Sequence, residues 1–342
     1  MMSDAVTNLI EIKDLKKTFS IATGLFSRKL KLTALENINF SVRRGETLGI
    51  VGESGCGKST LGRCILQLIN PDEGQVLWLG QDLTKVPAEE MRKRRADLQI
   101  IFQDPLASLN PRMTVGEIIE DPLKTLKPEF NKAERRARVL KMMEAVGLLP
   151  EMINRYPHEF SGGQAQRIGI ARALITEPKL IVCDEPVSAL DVSIQAQILN
   201  LLSELKDEFG LTLIFISHNL SVVRHVSDRI LVLYLGRIVE LATGDEIYND
   251  PKHPYTRALL TAVPIPDPKL ARQRNIDALK GEIPSPINPP SGCTFRTRCR
   301  FAQQRCAEVR PPLETIEGGR LVACIRWREI EIPEEAEAVL GA

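Results

Sequence analysis

Gly52-Glu-Ser-Gly-Cys-Gly-Lys-Ser-Thr60 is the stretch that decides the fold. It matches G-x-x-x-x-G-K-[ST] in full, between the apolar run Glu46-Thr-Leu-Gly-Ile-Val51 and an amphipathic stretch from Lys58 to Ile69. A buried strand, a glycine-rich loop and a helix in that order make a phosphate cradle. Gly52, Gly55 and Gly57 permit the backbone turns that point successive N–H groups at phosphate oxygens. Lys58 carries a positive charge to the β- and γ-phosphates, and Ser59 offers a hydroxyl to Mg2+. The helix starting at Lys58 presents its N-terminus to the anion, and Ser54, Cys56 and Thr60 complete the loop.

Leu180-Ile-Val-Cys-Asp-Glu185 is the natural second half of such a site. A strand ending in Asp184 places a carboxylate where it holds Mg2+ through water, and Glu185, one residue on, can accept a proton from an attacking water. Alone, an apolar run ending in Asp-Glu is only a strand leaving a core; the phosphate loop gives it a function. Lys179–Cys183 and Leu211–Ile216 are apolar enough to be central strands of a parallel sheet, joined by a helix over Ser193–Phe209. Residues 114–176 show several helices and no strand, which predicts a helical subdomain inserted in an α/β core.

Working outward, composition bounds the possibilities. The chain has 342 residues, 43% apolar and 26% charged, the make-up of a globular protein. Lys and Arg number 45 against 44 Asp and Glu, so charge gives no reason to expect nucleic acid as partner. Aromatics at 5% are sparse for a base-stacking surface. The longest stretch without a formal charge, Phe209 to Val223, is 15 residues. A spanning helix needs about 20, so no membrane crossing is expected. The N-terminus shows no basic stretch followed by an apolar run, which predicts a cytosolic chain without a secretory signal.

The end of the chain differs from the rest. Seven of the 22 prolines fall between Pro264 and Pro290, a stiff linker in this reading. Cys293, Cys299, Cys306 and Cys324 then fall within 32 residues. Four thiolates suffice for Zn2+ or for a four-iron cluster, while the lack of a C-x2-C knuckle weakens zinc; unligated cysteines are the third reading. Residues 293–328 hold eight Arg and three acids, which face an anionic cluster or lipid headgroups, or are simply a solvated surface. The expected order is an ATPase domain over residues 1–263, with its helical subdomain at about 104–176. A proline linker (264–290), a cysteine module (291–328) and an acidic tail (329–342) follow.

Phe160-Ser-Gly-Gly-Gln-Ala-Gln-Arg167, about 20 residues before Asp184, is by itself a flexible helix cap. At this order and spacing it resembles the signature motif of the ATP-binding cassette (ABC) family. Gln103 after Ile100-Ile-Phe, Ser188-Ala-Leu-Asp191, and His218 closing Leu213-Ile-Phe-Ile-Ser-His218 fit the same family. The resemblance implies an α/β P-loop NTPase core with an antiparallel β layer, the inserted α-helical subdomain and a small Cys-rich C-terminal module. It implies a head-to-tail dimer holding ATP and Mg2+ between the phosphate loop of one domain and Ser161, Gly162, Gly163 and Gln164 of the other. It further implies that Gln103 senses the γ-phosphate through water and Mg2+, that His218 holds the γ-phosphate and orients Glu185, and that Phe19 stacks on adenine.

Three further stretches narrow the resemblance: Asp104-Pro-Leu-Ala-Ser-Leu-Asn-Pro-Arg-Met113, Asp184 to Gln197, and Pro251-Lys-His-Pro-Tyr-Thr-Arg-Ala-Leu-Leu260. They look like ATPase subunits of bacterial dipeptide and oligopeptide importers, and most like the second of the two paralogous ATPases of such systems. That implies a heterodimer of ATPases under two membrane permeases, fed by an extracytoplasmic peptide-binding protein, at the cytoplasmic face of the inner membrane. A short permease helix would dock around residues 104–126. It also implies a [4Fe-4S] cluster on Cys293, Cys299, Cys306 and Cys324. His253 and Tyr255 are expected to dock or pack, with no chemistry. The alternatives are a soluble ABC ATPase of DNA repair or translation, and an importer of nickel or sugar.

Overall fold

Thr47–Val51, five residues buried without exception, is the strand that delivers the chain to the phosphate loop. The computed structural model describes residues 8–21, 30–261 and 281–330. Much of the expected proline linker and nearly all of the acidic tail lie outside those residues. In chain order the strands are β1 (Asn8–Ile21), β2 (Leu30–Arg43), β3 (Thr47–Val51), β4 (Glu73–Trp78), β5 (Gln81–Asp82) and β6 (Leu98–Ile101). They continue as β7 (Leu180–Asp184), β8 (Thr212–Ser217), β9 (Arg229–Tyr234), β10 (Arg237–Thr243), β11 (Glu314–Thr315) and β12 (Leu321–Val322). The chain divides into two compact units.

The first unit takes in residues 8–10, 41–47 and 77–217. Its sheet places β7 between β6 and β8, parallel to both, with Ile101 opposite Cys183 and Asp184 opposite Ile216. Every residue of β7 and β8 is buried, as a parallel sheet covered on both faces requires. Helices Val115–Leu126, Lys132–Ala145 and Gly162–Leu174 lie between β6 and β7 in the chain. Each opens with a capping box: Thr114 with Glu117, Asn131 with Glu134, and Ser161 with Gln164. Such reciprocal caps satisfy two of the N–H groups left open at a helix start. The first helix packs against the other two.

The second unit takes in residues 11–40, 48–76 and 218–330. Strands β2, β1 and β4 lie side by side in that order, the layer expected beside the core. β3 runs parallel to β9, with Leu48 opposite Arg229 and Val51 opposite Val232. β9 turns back into antiparallel β10, and β10 pairs in turn with β12 near the end of the chain, Glu240 opposite Val322. Glu240, fully buried, meets Arg320 at 3.3 Å and accepts from the N–H groups of Lys252 (2.7 Å) and His253 (2.9 Å). Burial pushes the Glu240 carboxyl up, and those N–H donors and Arg320 pull against it. Losing one partner of such a pair costs about 3–5 kcal/mol.

The helix after the loop is shorter than the periodicity suggests. It spans Lys58–Ile65 and stops before Ile69, because Gln67 adopts a left-handed backbone (φ 52°). The N–H groups of Leu68 and Ile69 turn back to the Arg63 carbonyl at 2.8 and 3.3 Å. Among the described residues no helix is long and apolar enough to cross a membrane.

Candidate functional site

In the second unit the phosphate loop is built by β3 and its helix. Gly52 has no room for a side chain: a Cβ there would lie 2.2 Å from the Leu233 carbonyl oxygen of β9. Lys58 is buried, and its ammonium donates to the carbonyls of Gly52 (2.8 Å) and Glu53 (3.1 Å), so it folds back over the loop it serves. The helix it begins has Gly57 as N-cap, no side-chain cap and no acidic residue in its first turn. Its leading N–H groups and the Lys58 charge are the donor set a polyphosphate needs, so these residues fit the nucleotide.

Other parts of the chain fix this loop. The Glu53 N–H donates to the Tyr255 hydroxyl at 2.9 Å, and its carboxylate takes a two-pronged ion pair from Arg298 at 2.6 and 3.0 Å. The Gly236 N–H, in the turn between β9 and β10, donates to the Cys56 carbonyl at 2.8 Å. Tyr255 packs against Tyr234 and Phe295, with ring centroids 4.6 and 5.3 Å away. The packing expected of Tyr255 is present, and its hydroxyl bond to the loop is additional. Glu53, Arg298 and Gly236 were not among the expected site residues. Phe19, on β1, is half-buried, with the Lys17 ammonium 5.6 Å from its ring centroid. His218, directly after β8, is exposed.

In the first unit Asp184 ends β7, buried, and Glu185 follows in a left-handed conformation (φ 49°). That turn is held by its N–H donating to the Ile216 carbonyl at 3.0 Å, and by the Ser188 N–H and hydroxyl donating to the Glu185 carbonyl at 3.3 and 3.1 Å. The carboxylate is therefore aimed by backbone bonds its own side chain does not make. The Gln103 amide stands 3.4 Å from it, so two of the expected residues, 82 positions apart, come together. The donors here are the oxygens Mg2+ prefers, a buried carboxylate and an amide carbonyl.

Ser161 is exposed and caps the helix Gly162–Leu174, its hydroxyl accepting from the Gln164 N–H at 3.3 Å. That helix also lacks an acid in its first turn. A Cβ on Gly163 would come within 2.6 Å of Ile194 Cγ2, so the glycine is required by the close approach of the following helix. The N-terminus is thus kept small and uncharged, as an anion site needs.

The expected iron–sulfur cluster is corrected. No group of three or more His, Cys, Asp or Glu side chains among the described residues is arranged to hold a metal ion. Cys293, Cys299, Cys306 and Cys324 do line one cavity, together with Phe295, Phe301 and Ile330. Burial pushes the Cys299 thiol up to about 11 and that of Cys324 to about 12, and moves Cys293 in the same direction. The same lack of a metal-holding group among the described residues gives no support to the alternative of Zn2+. All seven cysteines are free.

His253, 1% exposed, accepts from the Tyr255 N–H through Nδ1 at 3.0 Å. Burial and then the charge of Arg257 lower its pKa to about 3, against an opposing backbone contact with Ala323. A lowered histidine is protonated in the unfolded chain well before the folded one, so the fold loses stability as pH falls below the ordinary histidine value. Between about pH 7.5 and 5 the loss is ~2 kcal/mol. His253→Asn retains an acceptor for Tyr255 and should abolish that part of the acid sensitivity, read as the difference in urea-unfolding free energy at the two pH values. Equal acid sensitivity in both proteins would refute the assignment.

The comparisons with known proteins agree with these elements. Residues 35–188 match the family model "ABC transporter", and residues 239–306 match "Oligopeptide/dipeptide transporter, C-terminal region". The chain is 58% identical over 321 residues to the oligopeptide transport ATP-binding protein OppF of Haemophilus influenzae, covering 93% of this chain and 97% of that one. It is 61% identical over 309 residues to OppF of Salmonella typhimurium, covering 90% and 92%. Among solved structures it is similar to the dimeric ATP-binding cassette MJ0796 in a post-hydrolysis state bound to ADP and Pi (TM-score 0.61, 32% identity), covering 68% of this chain and 98% of that one. Phosphate loop, Asp184-Glu185 turn and signature helix all stand in one chain alongside these matches, and it belongs to the ABC transporter family, with the ATP-binding proteins of oligopeptide transport.

Proposed function

We infer that this chain is the ATP-hydrolysing subunit of an importer of dipeptides or oligopeptides. The observation that carries the reading is its identity of 58–61% with oligopeptide transport ATP-binding proteins over at least nine-tenths of each chain. We propose the following roles. In the second unit, the loop Gly52–Thr60 receives the phosphates, Lys58 moves from the Gly52 and Glu53 carbonyls to phosphate oxygens, and Ser59 is an oxygen donor for Mg2+. His218 is a γ-phosphate contact and Phe19 the adenine platform. In the first unit, Asp184 and Gln103 are the oxygen donors for Mg2+, and Glu185 accepts the proton of the attacking water. The ion, when bound, offsets phosphate charge. Ser161, Gly162, Gly163 and Gln164 present a helix N-terminus to the γ-phosphate held by a second ATPase, a paralogous subunit in this reading.

The partners are two membrane permeases and an extracytoplasmic peptide-binding protein, with attachment to the cytoplasmic face of the membrane through the segment around residues 104–126. There Leu106 is 47% exposed, an apolar side chain available to a permease helix. The small C-terminal segment over residues 291–328 belongs to this subunit as part of its ATPase unit. Proteoliposomes holding this chain, the paired ATPase and both permeases, with binding protein inside the assay, should accumulate labelled tripeptide only with ATP, and peptide should raise ATP turnover. Turnover stimulated by nickel or sugar and not by peptide would overturn the reading.

A further inference from the structure

Glu53 is an acid placed inside a phosphate-binding loop, where its charge opposes that of the ligand. All of its hydrogen-bonding groups are engaged. Its carbonyl accepts from Lys58, its N–H donates to Tyr255, and its carboxylate grips Arg298 from 245 residues away. The Arg298 side chain is only 4% exposed and that of Glu53 20%, so little water screens the pair. The planar fork of an arginine fixes the plane of a carboxylate as well as its charge. The Arg298 N–H donates to the Phe295 carbonyl at 3.0 Å, and the Phe295 ring packs on Tyr255. Arg298 and Tyr255 therefore form one rigid support. The Glu53 carboxylate in turn holds Arg298 well above the ordinary arginine value.

We propose that Arg298, with Tyr255, is a positioning residue for the phosphate loop, neutralising Glu53 and holding the loop open to the nucleotide from the C-terminal segment. The need arises when Lys58 turns to phosphate. Its bonds to the Gly52 and Glu53 carbonyls are then given up, and the loop loses an internal tie. The bonds to Arg298 and Tyr255 do not involve Lys58 and persist through the exchange. Without Arg298, a bare carboxylate would stand in the loop and the second residue of the cradle would be released. The inference rests on the reading that Gly52–Thr60 binds ATP.

A double-mutant cycle on the full chain tests it, with Mg-ATP as ligand. Arg298→Gln should weaken Mg-ATP binding ~10-fold, as KM and as Kd, with kcat at saturating ATP within about two-fold of the parent. Glu53→Gln combined with Arg298→Gln should recover most of that loss, because the unpaired charge is gone. Arg298→Lys, which keeps the charge without the fork, should fall between. Should Arg298→Gln fail to fold, Arg298→Lys tests the need for the fork by itself, and parental Mg-ATP affinity in that variant would overturn the proposal. Parental affinity in Arg298→Gln, a double variant as weak as the single one, or a fall in kcat at unchanged KM would each overturn the proposal. Lys58→Ala run in parallel separates the two failures. If it binds ATP normally, the loop assignment is wrong. If it loses ATP while Arg298→Gln does not, only the positioning role is wrong.

Discussion

Glu185→Gln should lower ATP turnover by roughly 10²–10⁴-fold while leaving ATP affinity within a few-fold. The amide has nearly the shape of the carboxylate but cannot take a proton from water. The fold around it should be indifferent to the change. The left-handed turn at Glu185 is held by its backbone N–H on Ile216 and by Ser188 on its carbonyl, and neither bond uses the carboxylate. Gln103, whose amide stands 3.4 Å away, can rotate to offer its carbonyl to the new amide. Phosphate release measured beside equilibrium nucleotide binding gives both halves of the expectation. Parental turnover in the purified complex would remove Glu185 from the role of base.

Lys58→Ala should act on binding itself, raising the Kd for Mg-ATP by about 10²-fold or more, since charge-assisted bonds contribute about 1.5–3 kcal/mol each. In the parent, the ammonium already sits inside the loop on two carbonyls, so its transfer to phosphate needs a small side-chain movement and no refolding. Those carbonyls belong to the loop that water reaches through exposed Ser54 and Gly55, so the truncated protein should stay folded. Thermal unfolding with and without ATP is a direct measure: ligand binding raises the parent's midpoint, and the variant's should not move. An equal rise in both proteins would contradict the assignment of the loop.

Legibility in the sequence followed the range of the forces involved. The central strands β3, β7 and β8 are unbroken apolar runs because both sheet faces are covered, and a run of that kind is readable without knowledge of its neighbours. The loop, the Asp184-Glu185 turn and the signature cap are local motifs and were readable for the same reason. β12 is two residues long, and only pairing with β10 makes it a strand. The reach of the helix after the loop was overestimated because apolar spacing continues past Gln67, where the backbone turns left-handed. The arginines of residues 293–328 read as net charge, yet Arg298 is buried on Glu53 and Arg320 on Glu240. Each pairing spans many tens of residues and leaves no periodic trace. The cysteine spacing misled in a different way: four thiols close in sequence suggest a ligand set, whereas no group of three or more His, Cys, Asp or Glu among the described residues is arranged to hold a metal ion.

The pairing of β10 with β12 also bears on how the chain is made. A ribosome delivers Arg237–Thr243 some eighty residues before Leu321–Val322. Throughout that interval β10 has one row of unpaired N–H and C=O groups, the template on which strands of other chains add. The Glu240 carboxylate waits equally long for the guanidinium that neutralises it. Arg320 and Leu321 are adjacent residues, so the cation that pairs with Glu240 and the strand that covers the open row of β10 are delivered together.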